Sequence, residues 1–264
     1  MLLMKKRVIS AIIMLALFIP IVIIGGVPFL VVASIIGLLG LKEMLVLEEK
    51  VPLVMKLSTY FFALFMIMYN YRDNNLVYAL NYKFLIIMIL FYMIGVVVIG
   101  NTKKYSYKDA LFLIGSIMLI GIIFNGFVIV RNLGAMKFFY LFLISVLTDS
   151  FALFTGKYFG RRKISPKLSP NKTLEGCIGG SVLGTLITTL IYVSVGALWD
   201  KFFVIFGSTL LLSILGQVGD LFFSSIKRYH GIKDFSNLIP GHGGILDRID
   251  SVSFILLGYA LIFM

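Results

Sequence analysis

The chain has 264 residues, of which 60% are hydrophobic and only 14% charged, with a mean hydropathy of +1.03. A soluble domain of this length carries about a quarter charged residues, so the composition excludes an ordinary soluble protein and indicates an integral membrane one. The net charge of +12 would suit nucleic acid on a soluble domain, but on an apolar chain basic residues mark the cytoplasmic face, and no nucleic-acid partner is expected. A single cysteine, Cys177, rules out an intramolecular disulfide and a cysteine zinc cluster.

Lys5, Lys6 and Arg7 precede an apolar run from Val8 to Ile24. It imitates a signal peptide but is long and lacks a small-residue cleavage site, so it is expected to stay as a first span. Gly25, Gly26 and Pro28 turn the chain into a second, about 29–47. Further apolar runs follow at about 53–69, 84–99, 110–130, 138–159, 178–198, 202–226 and 245–264, each close to the roughly 20 residues that cross a bilayer as helix. The expected fold is therefore an all-α membrane protein of about nine transmembrane helices. Nine crossings put the termini on opposite sides, and 19 of the 24 Lys and Arg fall on the side of the N-terminus, which the positive-inside rule makes cytoplasmic. Helices one to five, in residues 1–134, read as scaffold. Helices six to nine, in residues 135–264, read as the catalytic region, with cytoplasmic loops at 160–173 and 227–244.

The longer connection, GRRKISPKLSPNKT from Gly160 to Thr173, contains two Ser-Pro pairs. The residue before proline is pushed towards extended backbone, so a basic, extended loop is expected. Gly176, Gly180 and Gly184 then recur every fourth residue and share one helix face. Such a seam lets membrane helices approach closely, either within the chain or in a homodimer. Cys177 beside it reads as a packing residue.

Acidic groups inside a span cost several kcal/mol unless they line a polar cavity, which singles out Asp149 and Asp220. Asp220 lies about 10 Å along a helix from Lys227, and Asp149 about 12 Å from Lys157, so both sit just below the cytoplasmic headgroups. Gly216, Asp220, Ser224 and Lys227 form one polar stripe; Gly243, Asp247 and Asp250 are expected to form another. Facing stripes would gather Asp220, Asp247 and Asp250 around one cation or two. The alternative is that Asp220 pairs with a basic residue such as Lys227 or Arg248.

The richest stretch runs from Ser224 to Asp250, SSIKRYHGIKDFSNLIPGHGGILDRID. Its four cations, Lys227, Arg228, Lys233 and Arg248, suit phosphates, and its carboxylates, Asp234, Asp247 and Asp250, are the hard ligands that Mg²⁺ prefers. Glycines at 241, 243 and 244 let backbone N–H groups approach an anion. Without a His-x-x-x-His pattern zinc is not expected; His242 reads as a hydrogen-bond donor to phosphate and His230 as a loop residue.

Ser224, Lys227, Arg228, Lys233, Asp234, Ser236, Pro240, His242, Gly243, Gly244, Asp247, Arg248 and Asp250 stand at spacings that resemble the signature of phosphatidate cytidylyltransferases, or CDP-diacylglycerol synthases, with no departure found. SPNKTLEG at 169–176 and DSFALFTGKYFG at 149–160 also resemble family segments. The resemblance implies that Lys172 binds phosphate and that Glu175 orders the site. It implies transfer of a cytidylyl group from CTP to phosphatidic acid in phospholipid synthesis, giving CDP-diacylglycerol and pyrophosphate. Asp220, Asp247, Lys227 and Asp250 are then expected in catalysis. Lys172, Arg228, Lys233, Asp234, His242, Gly243, Gly244, Arg248 and Ser224 are expected to contact substrate. Asp220, Asp247, Asp149 and Asp250 would hold Mg²⁺, with a second metal cation as an extension. The expected location is the bacterial inner membrane, with the site facing the cytoplasm. Two rivals are an ion-coupled transporter, which would place its carboxylates near the midplane and show repeated halves, and a lipid phosphotransferase or polyprenol kinase with another nucleotide.

Overall fold

The computed structural model describes residues 14, 16–48, 50–69, 82–101 and 103–263. Residues 16–24 are helical and belong to the first expected span, whose beginning lies outside the described residues. Eight longer helices follow: α1 (Gly26–Val46), α2 (Leu53–Met68), α3 (Tyr82–Ile99), α4 (Tyr107–Asn132), α5 (Ala135–Phe159), α6 (Leu174–Gly196), α7 (Phe202–Tyr229) and α8 (Leu246–Phe263). A 3₁₀ turn, Trp199–Lys201, leads into α7. Among the described residues six helical segments are long and apolar enough to cross a membrane: α1, α3, α4, α5, α6 and Trp199–Tyr229. The 16-residue α2 is apolar but shorter, and α8 carries Asp247, Arg248 and Asp250 in its first turns. Side chains such as Val97, Val98 and Leu261 are more than three-quarters exposed, as expected where lipid rather than protein completes the packing. The molecule is an α-helical integral membrane protein.

The chain divides into two compact units, one of residues 1–135 with Phe235–Ile245, the other of Met136–Asp234 with Leu246–Met264. In the first unit α1, α2 and α4 pack through small residues. A Cβ at Gly121 would lie 2.7 Å from the Met66 sulfur, and one at Gly37 would lie 2.8 Å from Ile67. Helix ends are closed by named groups. Ser106 and Asp109 form a reciprocal capping box that starts α4. Asn125 donates to the carbonyls of Ile67 (3.1 Å) and Tyr69 (2.7 Å), satisfying acceptors that the end of α2 leaves open. Arg131 does the same for the carbonyls of Val22 and Ile23.

The second unit contains α5 to α8 and the 160–173 connection. That connection is extended, as the Ser-Pro pairs require, but it also pairs with itself. Lys163–Ser165 (β1) and Ser169–Thr173 (β2) form an antiparallel ribbon with Lys163 opposite Thr173 and an irregularity next to Ser165. Among the described residues the fold is thus helical apart from this ribbon. The glycine seam of α6 packs within the chain, against α5: a Cβ at Gly176, Gly180 or Gly184 would come within 2.6–2.9 Å of Gly156, Ala152 or Thr148. Gly216 and Gly219 bring α7 equally close to α8, at Ile255 and at the Asp250 carbonyl.

Candidate active site

The second unit holds most of the chemistry singled out in the sequence. Thr173 caps α6 through its hydroxyl, which accepts the Gly176 N–H at 3.2 Å, so the residue before it leaves the ribbon at a fixed angle. That residue is Lys172, and its Nζ lies 2.5 Å from Asp220 Oδ2 on α7. One turn on, Ser224 donates to the other oxygen of Asp220 at 3.3 Å, and one further turn places Lys227, whose Nζ donates to Asp247 Oδ1 at 2.7 Å. The stripe Gly216, Asp220, Ser224, Lys227 therefore exists as expected and turns towards α8. Asp220 does pair with a lysine, but the partner is Lys172 rather than Lys227 or Arg248.

The facing stripe is shorter than expected. Gly243 is not in the helix: its φ is 82°, and α8 begins only at Leu246. Two left-handed glycines, Gly241 (φ 77°) and Gly243, keep the chain in a loop, because helix needs negative φ throughout. Asp247 and Asp250, three residues apart, remain on the stripe. Asp247 is almost wholly buried, its side chain 3% exposed, against 24% for Asp220. Asp149 on α5 touches Ser251 Oγ at 3.5 Å, and both Asp149 and Asp250 lie close enough to Asp220 to feel its charge.

Lys172 is the least satisfied group of the set. Its Nζ is buried and contacts Asp220, yet the alignment is not that of a hydrogen bond, and no other acceptor meets it among the described residues. An ammonium that faces one misaligned carboxylate still has donors to satisfy, and phosphate oxygens are the strong acceptors that would meet them. Glu175 orders the ribbon directly, because its carboxylate accepts the backbone N–H groups of Arg161 (2.9 Å) and Arg162 (3.1 Å) at the entry to β1. Arg228 donates to the carbonyls of Leu168 (3.3 Å) and Ile232 (2.9 Å), tying the end of α7 to the ribbon's turn. Lys233, Asp234 and Arg248 are exposed.

His242, Gly243 and Gly244 lie in the first unit. There the Ile239 carbonyl accepts the His242 N–H at 2.9 Å, closing a tight turn with Pro240 and the left-handed Gly241 at its centre, the type II pattern. Ile239 N–H in turn donates to the Gly243 carbonyl.

Whether these residues suit Mg²⁺ is decided by donor type and arrangement. Asp149, Asp220, Asp247 and Asp250 are all hard oxygen donors of the type that Mg²⁺ prefers, and the ammonium groups of Lys172 and Lys227 face Asp220 and Asp247. The arrangement is not closed: among the described residues no three His, Cys, Asp or Glu are gathered tightly enough to hold a metal.

Sequence reading passed over a buried polar chain beneath Asp220. Gln217 donates to Ser181 Oγ (2.6 Å) and the Cys177 carbonyl (3.1 Å), and Ser213 bonds both Ser181 (3.2 Å) and Thr148 (2.8 Å). These bonds continue the α7 stripe towards its N-terminal end and fix the rotation of α7 against α5 and α6. The signal was present as an amide and hydroxyls one turn apart in an apolar span.

Known proteins resemble the chain from end to end. The model of the cytidylyltransferase family matches residues 5–264. Proteins named phosphatidate cytidylyltransferase are similar: 38% identical over 257 residues in Staphylococcus aureus (strain COL), and 37% over 260 residues in Staphylococcus haemolyticus (strain JCSC1435). A third, from Staphylococcus epidermidis (strain ATCC 12228), is 36% identical over 253 residues, and in each case 96% of both chains is covered. With a family match over nearly its whole length, and relatives this similar across their own, the chain belongs to the cytidylyltransferase family.

Proposed function

We infer that the protein transfers the cytidylyl group of CTP to phosphatidic acid, giving CDP-diacylglycerol and pyrophosphate for phospholipid synthesis. The observation that carries this reading is the full-length likeness to proteins named phosphatidate cytidylyltransferase. The geometry is compatible: charged groups are concentrated on α7, α8 and the ribbon. A phosphate monoester brings its own nucleophilic oxygen, so no activated serine or cysteine is needed. An oxygen of the lipid phosphate bonds to the α-phosphorus of CTP, the bond from that phosphorus to the bridging oxygen of the β-phosphate breaks, and pyrophosphate leaves with the electron pair.

Lys172 is assigned to phosphate, because its buried ammonium meets only the Asp220 carboxylate among the described residues, and without the alignment of a hydrogen bond. Lys227, Arg248, Lys233 and the His242–Gly244 turn are assigned to the remaining phosphate charge, with Arg228 holding the ribbon in place. Asp220 and Asp247, with Asp149 and Asp250 beside them, would hold Mg²⁺, which when bound screens the negative charges that must approach and aligns the attack. A metal there would compete with the Lys172–Asp220 and Lys227–Asp247 pairs, and a lysine displaced from its carboxylate would be available to phosphate. Nine crossings, a cytoplasmic N-terminus, a cytoplasmic site and placement in the bacterial plasma membrane belong to the same proposal. They are supported by the charge asymmetry and by the bacterial relatives.

The test gives purified protein in detergent phosphatidic acid, Mg²⁺ and CTP labelled either in the base or in the γ-phosphate. Base label entering the lipid phase with γ-label appearing in pyrophosphate is expected. γ-Label in lipid would make the protein a kinase, and no label in lipid would return the transporter reading.

A further inference from the structure

We propose that Glu43, on α1, is the positioning residue that holds the Phe235–Ile245 loop in its working shape. The first 134 residues were expected to be scaffold, yet α1 places a carboxylate at Glu43 that is only 5% exposed. One of its oxygens, Oε1, accepts two hydrogen bonds from the loop: Ser236 Oγ at 2.6 Å and the backbone N–H of Ile245 at 2.8 Å. Those donors stand at the two ends of the loop, so a single oxygen closes it like a clasp. Within the clasp lie the Pro240–Gly241 turn and His242, Gly243 and Gly244.

Gly244 shows how tight the clasp is. A Cβ there would lie 2.6 Å from both carboxylate oxygens of Glu43, so only glycine lets the backbone pass this close. The Ile245 N–H precedes α8, where the first backbone donors of a helix have no partner of their own, and Glu43 supplies one. Ser236 is used twice, since its Oγ also accepts the Leu238 N–H at 3.2 Å. The carboxylate thus fixes both ends of the loop and, with them, the shape of the His242 turn. It acts through the loop, without itself touching substrate. The catalytic half of this inference rests on the reaction assigned above; the clasp itself does not.

The test compares Glu43→Ala, Glu43→Gln and wild type as full-length protein in detergent. Hydrogen exchange is read over 235–245 and over the helices, and kcat and KM are measured for CTP and phosphatidic acid. Glu43→Ala is expected to speed exchange at Ile245 by ~10-fold or more, with the helices unchanged, as for loss of one buried hydrogen bond. It should also raise KM for at least one substrate by about 5-fold, whereas loss of folded protein alone would lower only the maximal rate. Glu43→Gln keeps an oxygen able to accept both bonds and should restore protection and most activity. If Glu43→Ala does not fold, Ser236→Ala opens one end of the clasp and must also speed exchange in the loop. Unchanged loop exchange, faster exchange with unchanged kinetics, or equal damage from Gln and Ala would each overturn the proposal. A wild-type protein that transfers no cytidylyl group would overturn the assigned reaction, while the exchange measurement would still decide the clasp.

Discussion

Two lysine–aspartate pairs of similar length differ sharply in what surrounds them, and the difference separates stability from catalysis. Lys227 and Asp247 are 10% and 3% exposed, so replacing either alone leaves a buried charge without its partner, which costs about 3–5 kcal/mol. Lys172 and Asp220 are 21% and 24% exposed, and water softens the same loss. Asp247→Asn should therefore lower the melting temperature in detergent clearly more than Asp220→Asn, although both should abolish transfer if both hold the metal. Since ligands of one ion act as a unit, the double variant should transfer scarcely less than either single one. Lys227→Met with Asp247→Leu should recover stability and no activity. Recovered activity would show the pair to be structural. Full transfer by Asp220→Asn would equally remove that residue from the metal site. On the ribbon, Lys172→Ala should cut activity at least ~10-fold, the scale of one charge-assisted contact. Arg162→Ala should do far less, because what Arg162 offers Glu175 is its backbone N–H. Equal, small losses would reduce Lys172 to an anchor. Lys227 and Asp247 were singled out because they lie within one polar stretch of sequence, and Asp220 because it is an acidic group inside an apolar run. The Lys172–Asp220 pair was not, since partners 48 positions apart carry no periodic signature; nor was the bond from Ser236 to Glu43, 193 positions away.

Helices were the most legible elements, because an apolar run long enough to span a bilayer has few other ways to satisfy its backbone. Their ends were less so. Gly243 was assigned to the last helix by spacing alone, but in a sequence left-handed glycines look the same as helical ones, and α8 begins three residues later. The ribbon was legible as extended chain and not as a pair of strands, since pairing depends on a turn whose register the Ser-Pro pairs do not fix. The α6 seam, by contrast, was read correctly as a close approach, with its partner left open between a helix of the same chain and a second copy. Its tightness makes a prediction at this scale. A Cβ at Gly180 would meet the Ala152 Cβ at 2.6 Å and the backbone of Thr148 and Ala152 at 2.7–2.8 Å, so nothing flexible can yield. Gly180→Val must push α6 from α5, costing about 1–3 kcal/mol and disturbing the ribbon that α6 supports. Gly207→Ala, with no atom within 4 Å, should leave the melting temperature near that of wild type. Similar melting of the two variants would mean that the seam is looser than its geometry implies.

At the scale of the whole molecule the remaining question is which face meets the cytosol, and the basic residues support the orientation proposed above. Moving a lysine or arginine across the bilayer during insertion is opposed, so the connections richest in them stay inside. With the nine crossings proposed, 19 of the 24 cations fall on one side, an asymmetry that no single replacement reverses. On the topology proposed above, the ribbon and the loop after α7 share the cytoplasmic side with the N-terminus, and the 3₁₀ turn before α7 lies outside. Single cysteines in a Cys177→Ser background test this directly. Lys167→Cys, in the exposed turn of the ribbon, and Asn237→Cys, in the loop that Glu43 clasps, should react with a membrane-impermeant maleimide only in inverted vesicles. Asp200→Cys should react only in vesicles of the native orientation. CTP is a charged cytosolic nucleotide with no route through hydrocarbon, so the reaction assigned to this chain needs Lys172 and the His242 turn on that face. Labelling of Asn237→Cys from outside would separate the loop from its nucleotide and overturn the assignment of His242 to phosphate. Labelling of all three positions from one side would instead mean that α6 and α7 together do not cross as two full spans.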